Sequence, residues 1–218
     1  MAASMTGLFD RLPAEKQRLV LDSAAAEFAR SGYTAAKVDD IAARAGISVG
    51  ALYKYFGSKE ACFLAVLEDG IAELEARLDQ VLAQSSDFWT RIEAIVRLIP
   101  EHSRKHAQTI RLYHEIGGSG LSSLCQDFCR RFEGMSARCY SALLAEARTS
   151  GLARQELDED YMAFCLDNLF MALQFSYSCD YYMLRKAVYL GARKDGDDEA
   201  LVRHTMDFLR HGLDAQRN

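Results

Sequence analysis

Proline is nearly missing from this 218-residue chain, occurring twice, and tryptophan occurs once. No alternating run of β-branched residues bounded by turn signals stands out either, so nothing points to strands and an all-helical class is expected. No stretch approaches about 18 uninterrupted apolar residues, which excludes a membrane-spanning helix and a membrane partner. The start of the chain lacks a basic region followed by an apolar one, and a cytoplasmic protein is expected. The six cysteines show no paired CxxC spacing, which favours reduced thiols over a disulfide framework. GxSxG, a glycine-rich phosphate loop and HExxH are all missing, leaving no basis for an enzyme or a cofactor. His102 and His106 stand four apart, with Glu101, His114 and Glu115 nearby. Their segment, EHSRKH, is rich in charge and reads as a solvated helix face, so no metal site is expected.

Half of the residues, 50%, are hydrophobic, enough for a chain of this length to bury a sizeable core. The net charge of −5 argues against a nucleic-acid partner, yet it hides a division. Residues 1–59 hold eight Lys or Arg and six Asp or Glu, for +2, and the remainder carries −7. A mildly basic segment thus precedes an acidic body.

Within the basic segment, residues 34–60 read TAAKVDDIAARAGISVGALYKYFGSKE. Val38, Ile41, Ala42 and Ala45 recur at three-to-four-residue spacing and share one face of a short helix over Lys37–Ala45. Gly46 suits the left-handed position that ends such a helix, and Ile47 pins the turn. Ser48 is placed as N-cap of a second short helix, Val49–Phe56, with Leu52 and Phe56 facing inward. Two short helices joined by a glycine-containing turn form a helix-turn-helix, whose second helix enters the DNA major groove. A purely structural helical hairpin would share this pattern.

The same residues resemble the N-terminal domain of the tetracycline-repressor (TetR) family of bacterial regulators, also called AcrR-like. Val20, Leu21, Ala24, Phe28, Gly32 and Tyr33 match its first helix, and Phe56, Ser58, Lys59 and Glu60 match the start of its fourth. The resemblance covers about the first 65 residues. It implies a three-helix DNA-binding domain over residues 1–57 and a helical effector-binding and dimerisation domain over 58–218. It also implies a homodimer on a palindromic double-stranded operator and release by a small, often hydrophobic effector. Two departures stand out. The family tends to have Thr or Ser at the start of the second helix, where this chain has Ala36 and Lys37, so Lys37 is the candidate replacement for a phosphate contact. Members often carry Lys and Thr where Val49 and Ala51 stand, which points to a more apolar base readout. Ser48, Tyr53, Tyr55 and Lys59 are the expected phosphate contacts, with Val49, Gly50, Ala51 and Lys54 at or near base edges.

Residues 1–11 read as a loose arm before a helix opened by Pro13, running to Ser31 and closed by Gly32. Ser58 is the expected cap of a fourth helix reaching about Ala83, the link between the domains in the family. A fifth helix follows through Ile99, with Pro100 expected to bend or end it. A short sixth carries Ile110, Tyr113 and Ile116 up to Gly117 and Gly118, and a long stripe runs from Leu121 to Ala147, where Cys125 and Cys139 serve as small hydrophobes. Residues 160–182 read as one helix that is apolar nearly all round. The final helix, through Leu201, Met206, Phe208 and Leu213, is similarly broad, and Gly191–Asp198 reads as an exposed loop between them. Such helices must bury two sides, so a homodimer through the last two helices is expected, with a large monomeric core as the alternative.

Candidate effector contacts are polar groups set among apolar ones: Asn168 with Met171 and Phe175, Tyr113 and His114 on the sixth helix, and Trp89, Phe128, Phe132 and Met135 as walls. Ordinary core packing is the competing reading for each. The function expected is a sequence-specific transcriptional regulator, a repressor released by a largely apolar effector. A ligand-independent DNA organiser and a ligand-binding protein that ignores DNA are the alternatives.

Overall fold

The computed structural model describes residues 7–84, 87–116, 124–191 and 196–214. Among these residues there are ten helices and no strand, only an isolated bridge between Ala153 and Asp214. The helices are α1 (Ala14–Ala35), α2 (Val38–Ala45), α3 (Val49–Phe56), α4 (Lys59–Gln84), α5 (Phe88–Lys105), α6 (Ala107–Glu115), α7 (Leu124–Thr149), α8 (Glu159–Ser178), α9 (Asp180–Leu190) and α10 (Asp198–Leu213). The all-helical expectation therefore holds. The chain divides into two compact units, residues 1–73 with 108–129, and residues 74–107 with 130–218.

In the first unit, Val20, Leu21, Ala24 and Phe28 of α1 bury one face, as their three-to-four spacing requires. Gly32 leaves the helical conformation at φ 70°, a backbone region that costs an L side chain dearly. This reorients the last turn of α1 and stacks Tyr33 against Phe28, with Phe63 of α4 edge-on to both. Arg18 of α1 pairs with Asp69 of α4 through two hydrogen bonds. The first unit also holds α6, which packs on α4 so tightly that a Cβ built on Gly70 would lie 2.3 Å from the Thr109 methyl. Glycine at that position permits the two helices to meet.

The second unit buries a continuous core of Leu78, Trp89, Ile92, Val96, Leu143, Leu166, Phe170, Met206 and Leu209. Three expectations change. α5 runs through Pro100 to Lys105. A proline in a helix forfeits one backbone bond, but Ile99, Pro100, His102 and Ser103 are all buried, and that packing holds the last turn. The 160–182 segment is two helices, because Cys179 is extended at φ −106°, ψ 126°. No glycine or proline marks this break. It is made by tertiary contacts: Ser178 is fully buried and its hydroxyl donates to the Ser103 carbonyl at 2.9 Å. α9 was therefore not legible as a separate element. Finally, residues 7–12 are not a loose arm, since they form an ordered turn in which Phe9 is 1% exposed. Gly117, Gly118, Leu121 and most of the loop after Gly191 lie outside the described residues.

The Gly70 contact generates a test. Gly70→Ala forces a methyl into occupied space, and overpacking of this kind costs about 1–3 kcal/mol. Thermal unfolding of G70A is expected to move down, and adding Thr109→Ala, which removes the clashing methyl, is expected to restore most of the loss.

Candidate nucleic-acid interface

The helix-turn-helix is built by three local devices. Gly46 adopts the left-handed conformation at φ 61°, ψ 42°. Its N–H donates to the Ala43 carbonyl at 3.2 Å while the Ile47 N–H reaches the Ala42 carbonyl at 3.0 Å, the paired bonds of a glycine-ended helix. The Ser48 hydroxyl oxygen accepts from the Ala51 N–H at 3.1 Å and opens α3. Ser58 does the same for α4, accepting from the Ala61 N–H at 3.0 Å.

The start of α2 works differently. Lys37 occupies the N-cap position and offers no side-chain bond. The Glu27 carboxylate of α1, 1% exposed, accepts instead from the Lys37 N–H at 3.3 Å, from the Ser31 hydroxyl at 3.1 Å and from Arg30 at 2.6 Å. The hydroxyl cap missing from the sequence is thus replaced by an acid ten residues upstream. Burial pushes this carboxyl up, but the bonds from Arg30, Lys37 and Ser31 outweigh it and the net shift is down. At the other end of α2, the Lys16 ammonium donates to the Ala45 carbonyl at 2.7 Å, favourable for a cation at a helix C-terminus. Sequence reading passed over both residues, because each acts through a partner distant in the chain.

The expected DNA contacts sort by exposure. Lys37, Ser48, Gly50, Tyr53 and Lys54 are exposed, and Val49, Ala51, Tyr55 and Lys59 are half-buried. Nothing but the Ser48 hydroxyl, at 3.9 Å, would approach a Cβ on Gly50, so its bare backbone faces open space. Lys59 is partly engaged: its ammonium donates to the Thr34 carbonyl at 3.1 Å and sits 5.0 Å from the Tyr33 ring centre. Two of its three N–H donors remain for other acceptors.

The effector candidates are dispersed. In the first unit, the Tyr113 and Phe128 rings lie 6.5 Å apart, and His114 is exposed. In the second unit, Trp89 is core, edge-on to Phe88 and covered by the Arg210 guanidinium. Phe132, Met135 and Met171 are half-buried, whereas Phe175 is buried against Tyr182. Asn168 is exposed and donates to the Phe164 carbonyl of its own helix at 2.7 Å. It lines an apolar groove of about 420 Å³ between α8 and α10, with Met162, Phe164, Cys165, Phe208 and Gly212. Sequence reading also missed Asp167 of α8, whose carboxyl is pushed up to about 6 by burial and by Glu133. Among the described residues no cluster could hold a metal, and no helix is long and apolar enough to cross a membrane. His102 and His106 stack on each other, and His102 is buried rather than solvated. Burial holds the Cys62 thiol up near 12 and raises that of Cys139, as expected of thiols packed as hydrophobes.

Because the Glu27 pKa is lowered on folding, its contribution to stability is present above the unfolded value and is lost as pH falls through the folded one. Arg30 keeps contact with water, so removing the carboxylate strands no buried charge. A glutamine there keeps one acceptor oxygen and sets a donor against either Arg30 or the Ser31 and Lys37 donors, a loss of about 1–3 kcal/mol. Glu27→Gln is expected to unfold at lower temperature at pH 7, and calorimetry in increasingly acid buffer should show its deficit closing.

Comparison with known proteins agrees with this geometry. Residues 20–66 match the family described as "Bacterial regulatory proteins, tetR family", a span that contains α2, α3 and most of α1. The chain is similar to the HTH-type transcriptional repressor KstR2 of Mycolicibacterium smegmatis, with 34% identity over 157 residues, covering 68% of this chain and 72% of that protein. Two solved structures share the fold. The FadR regulator of Bacillus subtilis in complex with stearoyl-CoA has a TM-score of 0.69 at 15% identity, covering 88% of this chain and 96% of that one. A putative transcriptional regulator from Saccharomonospora viridis in complex with choline has a TM-score of 0.71 at 20% identity, covering 93% and 99%. With the helix-turn-helix in place, these likenesses establish that the chain belongs to the TetR family of DNA-binding transcriptional regulators.

Proposed function

We propose that this regulator is a cytoplasmic, dimeric repressor that leaves its operator when a small, largely apolar effector binds. The observation that carries the reading is the outer edge of α3. Ser48, Gly50, Tyr53 and Lys54 are exposed together on a helix fixed at both ends by Ser48 and Gly57. Ser48, Tyr53, Tyr55, Lys37 and Lys59 are assigned to phosphates, and Val49, Gly50, Ala51 and Lys54 to base edges. Residues 1–57 read DNA and residues 58–218 sense and pair, with the first turns of α4 belonging to the compact unit of the reading helices.

Pairing is assigned to α8 and α10. Phe164 and Phe208 are 68% and 69% exposed on the groove between these helices, and large apolar side chains left in water on a soluble protein mark an association surface. Two copies joined there form a four-helix bundle. A rigid dimer must set its two reading helices about 34 Å apart to enter successive major grooves. An effector that shifts this spacing releases the DNA. The half-buried Phe132, Met135 and Met171 are suited to line an apolar site. The stearoyl-CoA bound by the FadR structure supports an effector with an apolar body.

Two measurements test this reading. Binding to duplex DNA from beside the protein's own coding region, at two salt concentrations and against a scrambled duplex, should be salt-sensitive and prefer the native duplex. Equal binding to both would point to a DNA organiser, and no binding by a folded dimer would remove the DNA-reading role. In sedimentation experiments, the double variant Phe164→Glu, Phe208→Glu is expected to run as a monomer with unchanged helix content. A dimer that survives both charges would move the interface elsewhere.

A further inference from the structure

The turn that precedes α1 lies before the family match, which begins at residue 20, yet it is packed onto the helix-turn-helix. Phe9 is 1% exposed. Its ring centre is 5.0 Å from that of Phe56 and 5.9 Å from that of Tyr55, the latter edge-on at 60°. Both partners stand on α3, one facing the core and the other beside the outer edge. The turn is itself held in place. The Leu12 N–H donates to the Phe9 carbonyl at 3.0 Å. The Gln17 amide of α1 donates to the carbonyls of Leu12 and Asp10 at 2.9 and 3.2 Å. One residue before Gln17, Lys16 holds the Ala45 carbonyl at the end of α2. The opening of α1 therefore grips both helices of the motif, α2 through a charge and α3 through an aromatic ring.

An eight-residue helix has little rigidity of its own, since short isolated helices are marginal in water. α3 buries only Leu52 and Phe56, so its rotation about its own axis depends on what touches these residues from outside the motif. We infer that Phe9 is a positioning residue for DNA recognition, which sets the rotation of α3 and with it the aim of Gly50, Ala51 and Lys54 at base edges. The inference rests on α3 being the reading helix. The charged phosphate contacts, Lys37 and Lys59, stand outside α3 and keep their attraction when it rotates, whereas base-edge contacts depend on its aim. Loss of Phe9 therefore removes discrimination between sequences more than it removes attraction to DNA.

The test uses the full chain with Phe9→Ala and Phe9→Leu, the second of which keeps an apolar side chain but abolishes the ring pairs. The probes are the duplex that wild type prefers and a scrambled duplex, at one salt concentration and at a temperature where each variant is folded. F9A is expected to lose about tenfold or more of the preference for the native duplex, while binding to the scrambled duplex stays within about twofold. Amide hydrogen exchange should quicken across residues 49–56 and stay unchanged in α4. F9L should show the same pattern at roughly threefold, and it decides the matter if F9A does not fold. Unchanged preference, equal loss on both duplexes, or faster exchange throughout the first unit would each overturn the inference. A wild type that does not discriminate between the duplexes would overturn the DNA-reading assignment of α3 itself, and this inference with it.

Discussion

A single buried carboxylate holds the reading motif to the helix that carries it. Glu27 stands in the second half of α1, yet its oxygens accept from the backbone of Lys37 at the N-cap of α2, from a serine on its own helix and from an arginine at the surface. A charge in that position is tolerable only when its acceptor sites are filled, and filling them fixes where α2 begins. From that point the motif follows with few degrees of freedom. Eight residues bring α2 to Gly46, the left-handed glycine turns the chain, and the serine hydroxyl starts α3. The direction of α3 is thus inherited from α1, and the Lys16 and Phe9 contacts tighten the same dependence from the other end of that helix.

What could be read from the residues in order was local. Gly46, Ser48 and Ser58 act on partners within a turn of themselves, and the sequence placed all three as the structure does. The bounds of α3 agree to the residue, because a cap at one end and a glycine at the other leave little choice. Features that depend on distant partners were hidden. Glu27 entered only the count of acidic residues, Phe9 fell within the loose arm, and the break at Cys179 had no punctuating residue. Propensity describes a residue's preference among its neighbours in the chain, and these three answer to neighbours in space. The same limit explains the effector candidates. Polar residues in apolar stripes are easy to find, but the stripe does not say which side faces a cavity, and Asn168 turned out to face an open groove with Phe164.

The second unit raises a related point about helices that are apolar on more than one side. Such a pattern says that a second surface must be covered without saying by what. On α8 and α10 the uncovered side chains converge on one groove, which gives the pattern a geometry. On α9 no residue is buried, and Tyr181, Leu184, Val188 and Tyr189 are all exposed. The helix meets α8 on its other side, where the Tyr182 ring packs on Phe175 and the Lys186 ammonium sits over the Tyr177 ring.

The internal use of basic residues in the first unit has a consequence for how this protein exchanges ions with DNA. Arg18 is committed to Asp69, Arg30 to Glu27, and Lys16 to the Ala45 carbonyl. Arg18 ties α1 to α4 and Lys16 ties α1 to α2, while Arg30 secures the buried acid of its own helix. Of the eight basic residues that give this segment its positive balance, Arg11, Arg18, Arg30, Lys37, Arg44 and Lys54 are exposed, and two of these six, Arg18 and Arg30, are already ion-paired within the protein. Each phosphate neutralised by a protein cation sets free part of the cation atmosphere that surrounds DNA. A docking head therefore gains less of this entropy than a count of eight cations would give, by the share that Lys16, Arg18 and Arg30 keep on their internal partners, and shape and base contact supply correspondingly more of its affinity.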